Sequence, residues 1–423
     1  MDSLPEFPWD SLAPYKERAS SHTGGLVDLS VGTPVDSTPE VVRAALIAAA
    51  DAHGYPQTWG TPALREAVAA WFARRRAVPA LDPDAVLPTV GSKELVAWLP
   101  TLLGAGPGDV VAFPALAYPT YDVGARLAGA FPLPMSSLTG LGPMTSMTTP
   151  RLLWVNSPGN PTGQVLGVEH LAKVVRWARQ HGVVVASDEC YAELDWRDDD
   201  PATGAGPAGL STPGAIPSIL DPRVCDGSHE GLLAVYSLSK QSNMAGYRAA
   251  FVAGDPLLVG RLLEIRKHAG MMVPWPVQQA MTAALADDLH VAQQRQRYGR
   301  RRRQLRSALE KAGYRVEHSE AGLYLWTTRD GHDAEHGTPS TPSTPSTAGA
   351  GSTVSAGGIV TDPVAQAGPH WSLVSELADL GILVAPGSFY GAAGVRHVRI
   401  ALTATDERID AGARRLANRG QGR

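Results

Sequence analysis

Lys240 follows the apolar run Leu232 to Tyr236, with hydroxyls at Ser237 and Ser239 just before it and Arg248 eight residues after it. These residue types suit two tasks at once. Hydroxyls and a guanidinium are good donors to a phosphate group. An enclosed, cationic setting lowers the pKa of a lysine and leaves an amine able to form a Schiff base with an aldehyde. The plain alternative for a lone lysine after a strand is a surface residue.

Two further clusters carry chemistry. Asp188-Glu189-Cys190-Tyr191 follows the apolar run Val183 to Ser187. A helix-capping aspartate is the ordinary reading. The functional one is a carboxylate that keeps a pyridine nitrogen protonated so that the ring draws electrons, with Tyr191 bonding the ring's phenolic oxygen. Asn156-Ser157-Pro158-Gly159-Asn160-Pro161-Thr162-Gly163 reads as a turn. Two asparagines and two prolines in eight residues also form a rigid way to hold one amide, that of Asn160.

The elements that must position these residues are legible as a pattern. Val110 to Phe113, Arg151 to Val155, Val183 to Ser187 and Leu232 to Tyr236 are short runs, apolar almost throughout, separated by helical stretches. Such runs predict strands buried on both faces of a mostly parallel sheet. All three polar clusters come just after such runs, and ligands of open α/β sheets bind at the carboxyl ends of strands. Helices are predicted over 41 to 53 (ended by Gly54), 62 to 76, 287 to 312 and 371 to 380, with strands at 382 to 385 and 397 to 401. The first 30 or so residues, rich in Pro and aromatics, read as an extended arm. Residues 331 to 368, with three Thr-Pro-Ser repeats, read as a loop that cannot pack. Pro201 to Pro217 reads as a smaller insertion of the same kind.

The length of 423 residues exceeds one ordinary core, so a large domain plus a smaller one is expected. The division reads as 1–40 (arm and part of the small domain), 41–284 (large) and 285–423 (small). A net charge of −4 argues against nucleic acid or an anionic membrane as a general partner. Two cysteines cannot build a disulfide framework, and neither a secretory signal nor a membrane span is evident. A cytoplasmic protein is the expectation. Three other features are set aside. His332 and His336 have the spacing of a zinc helix but border the loop, so no metal is expected. Arg300 to Arg303 read as a solvated helix face, and Cys190 as a small buried filler.

Taken together and in this order, N-x-P-x-N-P-T-G, D-E-x-Y and S-x-S-K-x-x-N-x-A-G-Y-R resemble the class I/II aminotransferases of pyridoxal 5′-phosphate (PLP) fold type I, from Val27 onward apart from the two insertions. The resemblance implies an α/β fold, a large domain with a mostly parallel sheet flanked by helices plus a smaller α+β domain. It implies PLP as cofactor, with Lys240 as the Schiff-base lysine, Asp188 on the pyridinium nitrogen, Asn160 and Tyr191 on the ring oxygen, and Ser237, Ser239 and Arg248 on the phosphate. Gly91-Ser92-Lys93 matches a phosphate-binding turn that opens a helix, an apt place for an anion; Lys93 can equally face solvent. Tyr118 matches the aromatic that stacks on the ring. Tyr55 matches a tyrosine that reaches the neighbouring subunit's phosphate, which implies a homodimer with shared sites. Arg399 matches the arginine that grips the substrate α-carboxylate, and Gly32 the backbone near it. Arg396 is the rival, and strand alternation allows only one of the two to point inward. Ala250 stands where the family often has Gly.

Several phrases, among them Leu4 to Asp10 and Met272 to Gln278, are similar to the actinobacterial N-succinyldiaminopimelate aminotransferases. That implies lysine and diaminopimelate synthesis with glutamate as amino donor. No second arginine for a distal carboxylate can be located. The alternatives are aminotransferases for glutamate, alanine or aromatic amino acids, a PLP-dependent lyase or decarboxylase, and a non-catalytic effector domain of a transcription regulator. The last needs a DNA-binding domain upstream, and only about 30 residues precede Gly32.

Overall fold

The computed structural model describes residues 4, 5, 7–137, 149–197, 210–329 and 371–421. The loop over 331 to 368, the His332/His336 pair and residues 201 to 209 lie outside them. A 3-10 turn, Pro8–Leu12, runs into a helix, Ala13–Ser20, and then a short strand, β1 (Val27–Asp28). The expected extended arm is thus partly helical. Tyr15 and Ala19 bury one face of the helix, and Tyr15 stacks on Trp371 at 5.1 Å between ring centroids. A helix this short is held by tertiary packing.

The next helix is Glu40–Ala48, shorter than the expected 41 to 53. Residues 50 to 55 are exposed, so no buried face supports further turns. Helix Pro62–Arg75 starts as expected, with Pro in its first turn and Thr61 accepting from the Leu64 amide at 3.1 Å.

Seven strands build the large sheet: β2 (Val86–Val90), β3 (Val110–Pro114), β4 (Phe131–Met135), β5 (Leu152–Asn156), β6 (Val184–Asp188), β7 (Leu232–Ser237) and β8 (Ala249–Gly254). Their order is β2-β8-β7-β6-β5-β3-β4. Strand β8 runs antiparallel to both of its neighbours, β2 and β7, and the other pairs are parallel. Strands β5, β7 and β8 are buried at every position, as their unbroken apolar runs require. One face packs on Leu64, Val68, Trp71 and Phe72 of helix Pro62–Arg75. The other packs on Leu95, Val96 and Leu99 of helix Ser92–Leu102.

A second core gathers Tyr15, Val27, Leu29, Tyr298, Leu305, Tyr324 and Ile400. Its sheet has the order β12-β13-β10-β9, from β9 (Tyr314–Glu317), β10 (Tyr324–Arg329), β12 (Ala385–Pro386) and β13 (Val398–Ala401). Strand β11 (Ile382–Leu383) pairs with β1. The molecule is therefore α/β, with a mostly parallel sheet flanked by helices and a smaller α+β part.

Two expectations are corrected here. The long helix is Leu289–Lys311, but its arginines are not one solvated face. Arg301 is buried between Asp36 and Asp406, each 2.6 Å away, and Arg302 donates to the Ser319 carbonyl at 2.7 Å. Opposite charges brought in from distant segments make that burial tolerable. Residues 210 to 217, read as part of an insertion, are packed: Ile216 is buried and the Ser211 hydroxyl donates to the Glu193 carbonyl at 3.0 Å. Among the described residues no helix is long and apolar enough to cross a membrane.

Candidate active site

Register brings the polar clusters together. Asn156 at the end of β5 is the direct partner of Asp188 at the end of β6. Asp188 pairs with Val235, two residues before Ser237. All three chain segments leave the sheet at one edge. A cavity of about 490 Å³ opens there. Of the residues expected to hold cofactor or substrate, Gly32, Ser92, Lys93, Tyr118, Asn160, Asp188, Tyr191, Ser237, Ser239, Lys240, Arg248 and Arg399 line it. Tyr55 does not, and is 97% exposed.

The amide of Asn156 braces the turn that follows it. It donates to the carbonyls of Pro158 at 3.1 Å and Asp188 at 3.0 Å, and its oxygen accepts from the Asn160 amide N–H at 2.8 Å. The peptide bonds Ser157–Pro158 and Asn160–Pro161 are cis. Asn160 then presents its side-chain oxygen to Arg399 Nη1 at 3.1 Å.

Asp188 is buried. Its carboxylate accepts from the Tyr121 hydroxyl at 2.9 Å and the Cys190 amide at 3.2 Å. Burial pushes its pKa up, against the pull of those hydrogen bonds. Cys190 is a buried filler as expected, part of the second core, and it also lines the cavity. Beneath Asp188, Glu189 is locked by Arg76 at 3.0 Å and accepts from the Ile219 amide at 2.8 Å, anchoring the end of β6.

The Lys240 amine donates to the carbonyl of Gly32. Burial lowers the Lys240 pKa. Tyr324 opposes that shift, and the positive charges of Arg399 and Arg248 add to it. Ser237 and Ser239 are joined by a 2.8 Å hydroxyl bond. Arg248 has a φ of +56° and donates from Nη1 to the Ala245 carbonyl at 3.0 Å. Gly91, the cap of helix Ser92–Leu102, has a φ of +83°, and a Cβ there would overlap the Arg248 guanidinium. The positive φ favours glycine, and any side chain there would push the Arg248 guanidinium aside.

Of the two rivals, Arg399 is buried and lines the cavity while Arg396 is exposed. Arg399 donates from Nη2 to the Ser30 carbonyl at 2.8 Å. Its Nε has no hydrogen-bond partner among the described residues. The guanidinium lies 3.9 Å over the Tyr324 ring and 4.8 Å from that of Tyr390. Lys93 is exposed, with its amine 5.6 Å from the Phe7 ring and 5.8 Å from the Tyr118 ring.

Sequence reasoning missed Asn156 as the brace, Tyr121 on Asp188, Tyr324 under Arg399, and Phe7 and Trp9 on the cavity wall. For Tyr121, near the start of helix Thr120–Leu127, no local signal was available, because its partner Asp188 lies 67 residues away.

Residues 25–416 match the family model described as aminotransferase class I and II. The chain is 55% identical to the 4-dedimethylamino-4-oxo-anhydrotetracycline transaminase OxyQ of Streptomyces rimosus, over 98% of this chain and all of that protein. It is 53% identical to a probable aminotransferase of Mycobacterium tuberculosis, over 98% of this chain and 85% of that one. An LL-diaminopimelate aminotransferase of Dehalococcoides mccartyi is 30% identical, over 99% of this chain and 97% of that one. Among solved structures, an aminotransferase from Mycobacterium tuberculosis shares the fold at a TM-score of 0.76 and 25% identity, covering all of this chain and 98% of that one.

Proposed function

Since this chain belongs to the class I and II aminotransferases, which depend on PLP, we propose that it moves an amino group between N-succinyl-L,L-diaminopimelate and 2-oxoglutarate. The observation that carries this reading is a pair of cations at two depths of one cavity. Arg399 lies inside it and Lys93 at its exposed rim. That arrangement suits a long substrate with a carboxylate at each end. The 30% identity to an LL-diaminopimelate aminotransferase adds support.

The site fits the cofactor. Space is kept by Gly91 beside Arg248, and for the substrate carboxylate Arg399 Nε is buried with no partner among the described residues. Ser92, Ser237, Ser239 and Arg248 would hold the phosphate, with Tyr55 of the partner subunit completing it in a homodimer. Asp188 would pair with the ring nitrogen, Asn160 and Tyr191 with the ring oxygen, and Tyr118 with the ring face. When bound, PLP supplies an aldehyde that condenses with amines and a ring that takes up electrons.

The chain's own residues do the rest. Lys240, its proton affinity lowered by burial, serves as the base that takes the substrate Cα proton at Nζ and returns it. Asp188, buried and held by Tyr121, keeps a negative charge where a cation must be stabilised. Arg399 binds the α-carboxylate by its fork, with Asn160 and Ser30 fixing the guanidinium plane. Phe7 and Trp9 wall the cavity and limit water there. The division of labour follows the two cores, with boundaries near residues 40 and 285.

One observation favours a second reading. The 55% identical relative is named for a tetracycline-type ketone, and the walls Phe7, Trp9 and Tyr118 suit a planar polycyclic substrate. Steady-state assays with glutamate as donor and either the keto acid of N-succinyl-diaminopimelate or a tetracycline-type ketone as acceptor separate the two. The proposed reading requires the former to have the higher kcat/KM. A higher kcat/KM for the ketone would replace it.

A further inference from the structure

Tyr324 lines the cavity between Arg399 and Tyr191. It is 5% exposed. On β10 it pairs with Ala401 of β13, and Trp326 pairs with Arg399. Side chains alternate across a strand, so Tyr324 and Arg399 share a face as diagonal neighbours. The guanidinium therefore rests 3.9 Å over the phenol ring, an attractive geometry for a cation. The other end of the ring makes polar contacts. Its hydroxyl lies 3.3 Å from that of Tyr191, and the two rings meet edge to face at 5.8 Å. The same hydroxyl fills the space a Cβ would need at Gly32. Gly32 is also the residue whose carbonyl accepts from the Lys240 amine.

We propose that Tyr324 is a positioning residue that ties the arginine gripping the substrate carboxylate to the lysine doing the chemistry. Its ring is the platform that holds the Arg399 guanidinium flat. Its hydroxyl, seated against Gly32 and Tyr191, fixes where the Lys240 amine and the Tyr191 hydroxyl stand relative to each other. A glycine is needed at position 32 because that hydroxyl occupies the space of its side chain. The electrostatics agree with the geometry. Burial pushes the Tyr324 hydroxyl up, but Arg399 and Lys240 outweigh it and hold its pKa below the ordinary phenol value.

The proposal rests on the aminotransferase reading but not on the substrate. Its test is made with the cofactor-loaded protein, comparing wild type with Tyr324→Phe, which keeps the ring, and Tyr324→Leu, which removes ring and hydroxyl. The first readout needs no substrate: the pH midpoint of the bound cofactor's visible band, which reports the nitrogen of Lys240. In Tyr324→Phe the lost hydroxyl no longer favours the protonated nitrogen, so the midpoint moves down by at least about half a unit. The kcat with glutamate falls about tenfold, the worth of one hydrogen bond, while KM stays within about twofold. In Tyr324→Leu the KM for glutamate also rises about tenfold, because Arg399 has lost its platform. An unmoved midpoint with an unchanged kcat in Tyr324→Phe would overturn the proposal. An unchanged KM in Tyr324→Leu would overturn the platform role. Should the Leu protein not load cofactor, the Phe protein decides alone. A wild-type enzyme that ignores glutamate defeats the donor assignment while leaving the spectroscopic test intact.

Discussion

The side-chain amide of Asn156 donates to the backbone carbonyl of Asp188 at 3.0 Å, across a register in which the two residues are direct partners. One amide thereby locks the ends of two parallel strands and, through its oxygen, the Asn160 N–H. Asn156→Ala removes three hydrogen bonds from a buried turn. The expected cost is about 1–3 kcal/mol of stability and at least about tenfold in kcat/KM, since Asn160 loses its support. Urea unfolding and steady-state kinetics measure both. Wild-type values in each would show that the prolines suffice.

Gly91→Ala places a methyl against the Arg248 guanidinium and forces an L residue to a φ of +83°. Arg248 has to move. The prediction is a PLP affinity about tenfold or more weaker, with kcat at saturating PLP reduced less. Equilibrium titration of the apo-protein with PLP reads it directly. An unchanged affinity would mean that Arg248 does not hold the phosphate.

Lys93→Gln addresses the distal end of the substrate. Its amine stands at the rim, near the Phe7 and Tyr118 rings. The KM for N-succinyl-L,L-diaminopimelate is expected to rise about tenfold with kcat within about threefold. A KM that does not move removes Lys93 from substrate recognition.

Lys240 predicts a pH effect on the apo-protein. Its folded pKa is lowered by burial and by Arg399 and Arg248, while its unfolded value is near 10.4, roughly that of a free lysine. The folded state therefore binds fewer protons between the two values, and stability rises with pH across that window. Apo Lys240→Met, which has no proton to lose, is expected to melt roughly 1–3 °C above apo wild type at pH 7. The gap closes as pH approaches the unfolded value. A gap that is constant with pH would show that Lys240 is not held below its ordinary range.

What the sequence made legible is what local pattern controls. Lys240, Asp188 and Asn160 each follow a continuous apolar run, and a strand end is where such a sheet presents ligand groups. Tyr121 and Tyr324 reach their partners across 67 and 133 residues of chain. Nothing in their own surroundings marks them as polar partners of a site. The helix Ala13–Ser20 was hidden by the prolines and aromatics around it and is fixed by Trp371 from the far end of the chain. Arg301 looked like a solvated charge because its partners, Asp36 and Asp406, are remote in sequence. Tertiary contact decided each of these cases.

The most direct test of the central claim is a single half-reaction followed by absorbance. Wild-type protein loaded with PLP is mixed with glutamate alone, and the visible band of the bound cofactor is followed as it gives way to that of pyridoxamine phosphate. The same mixing is done with Lys240→Ala loaded with PLP. The account predicts rapid conversion in the wild type and, without the base, a rate at least about a hundredfold lower in the variant. Conversion of Lys240→Ala at the wild-type rate would contradict the assignment of Lys240, and with it the active site built around the cavity.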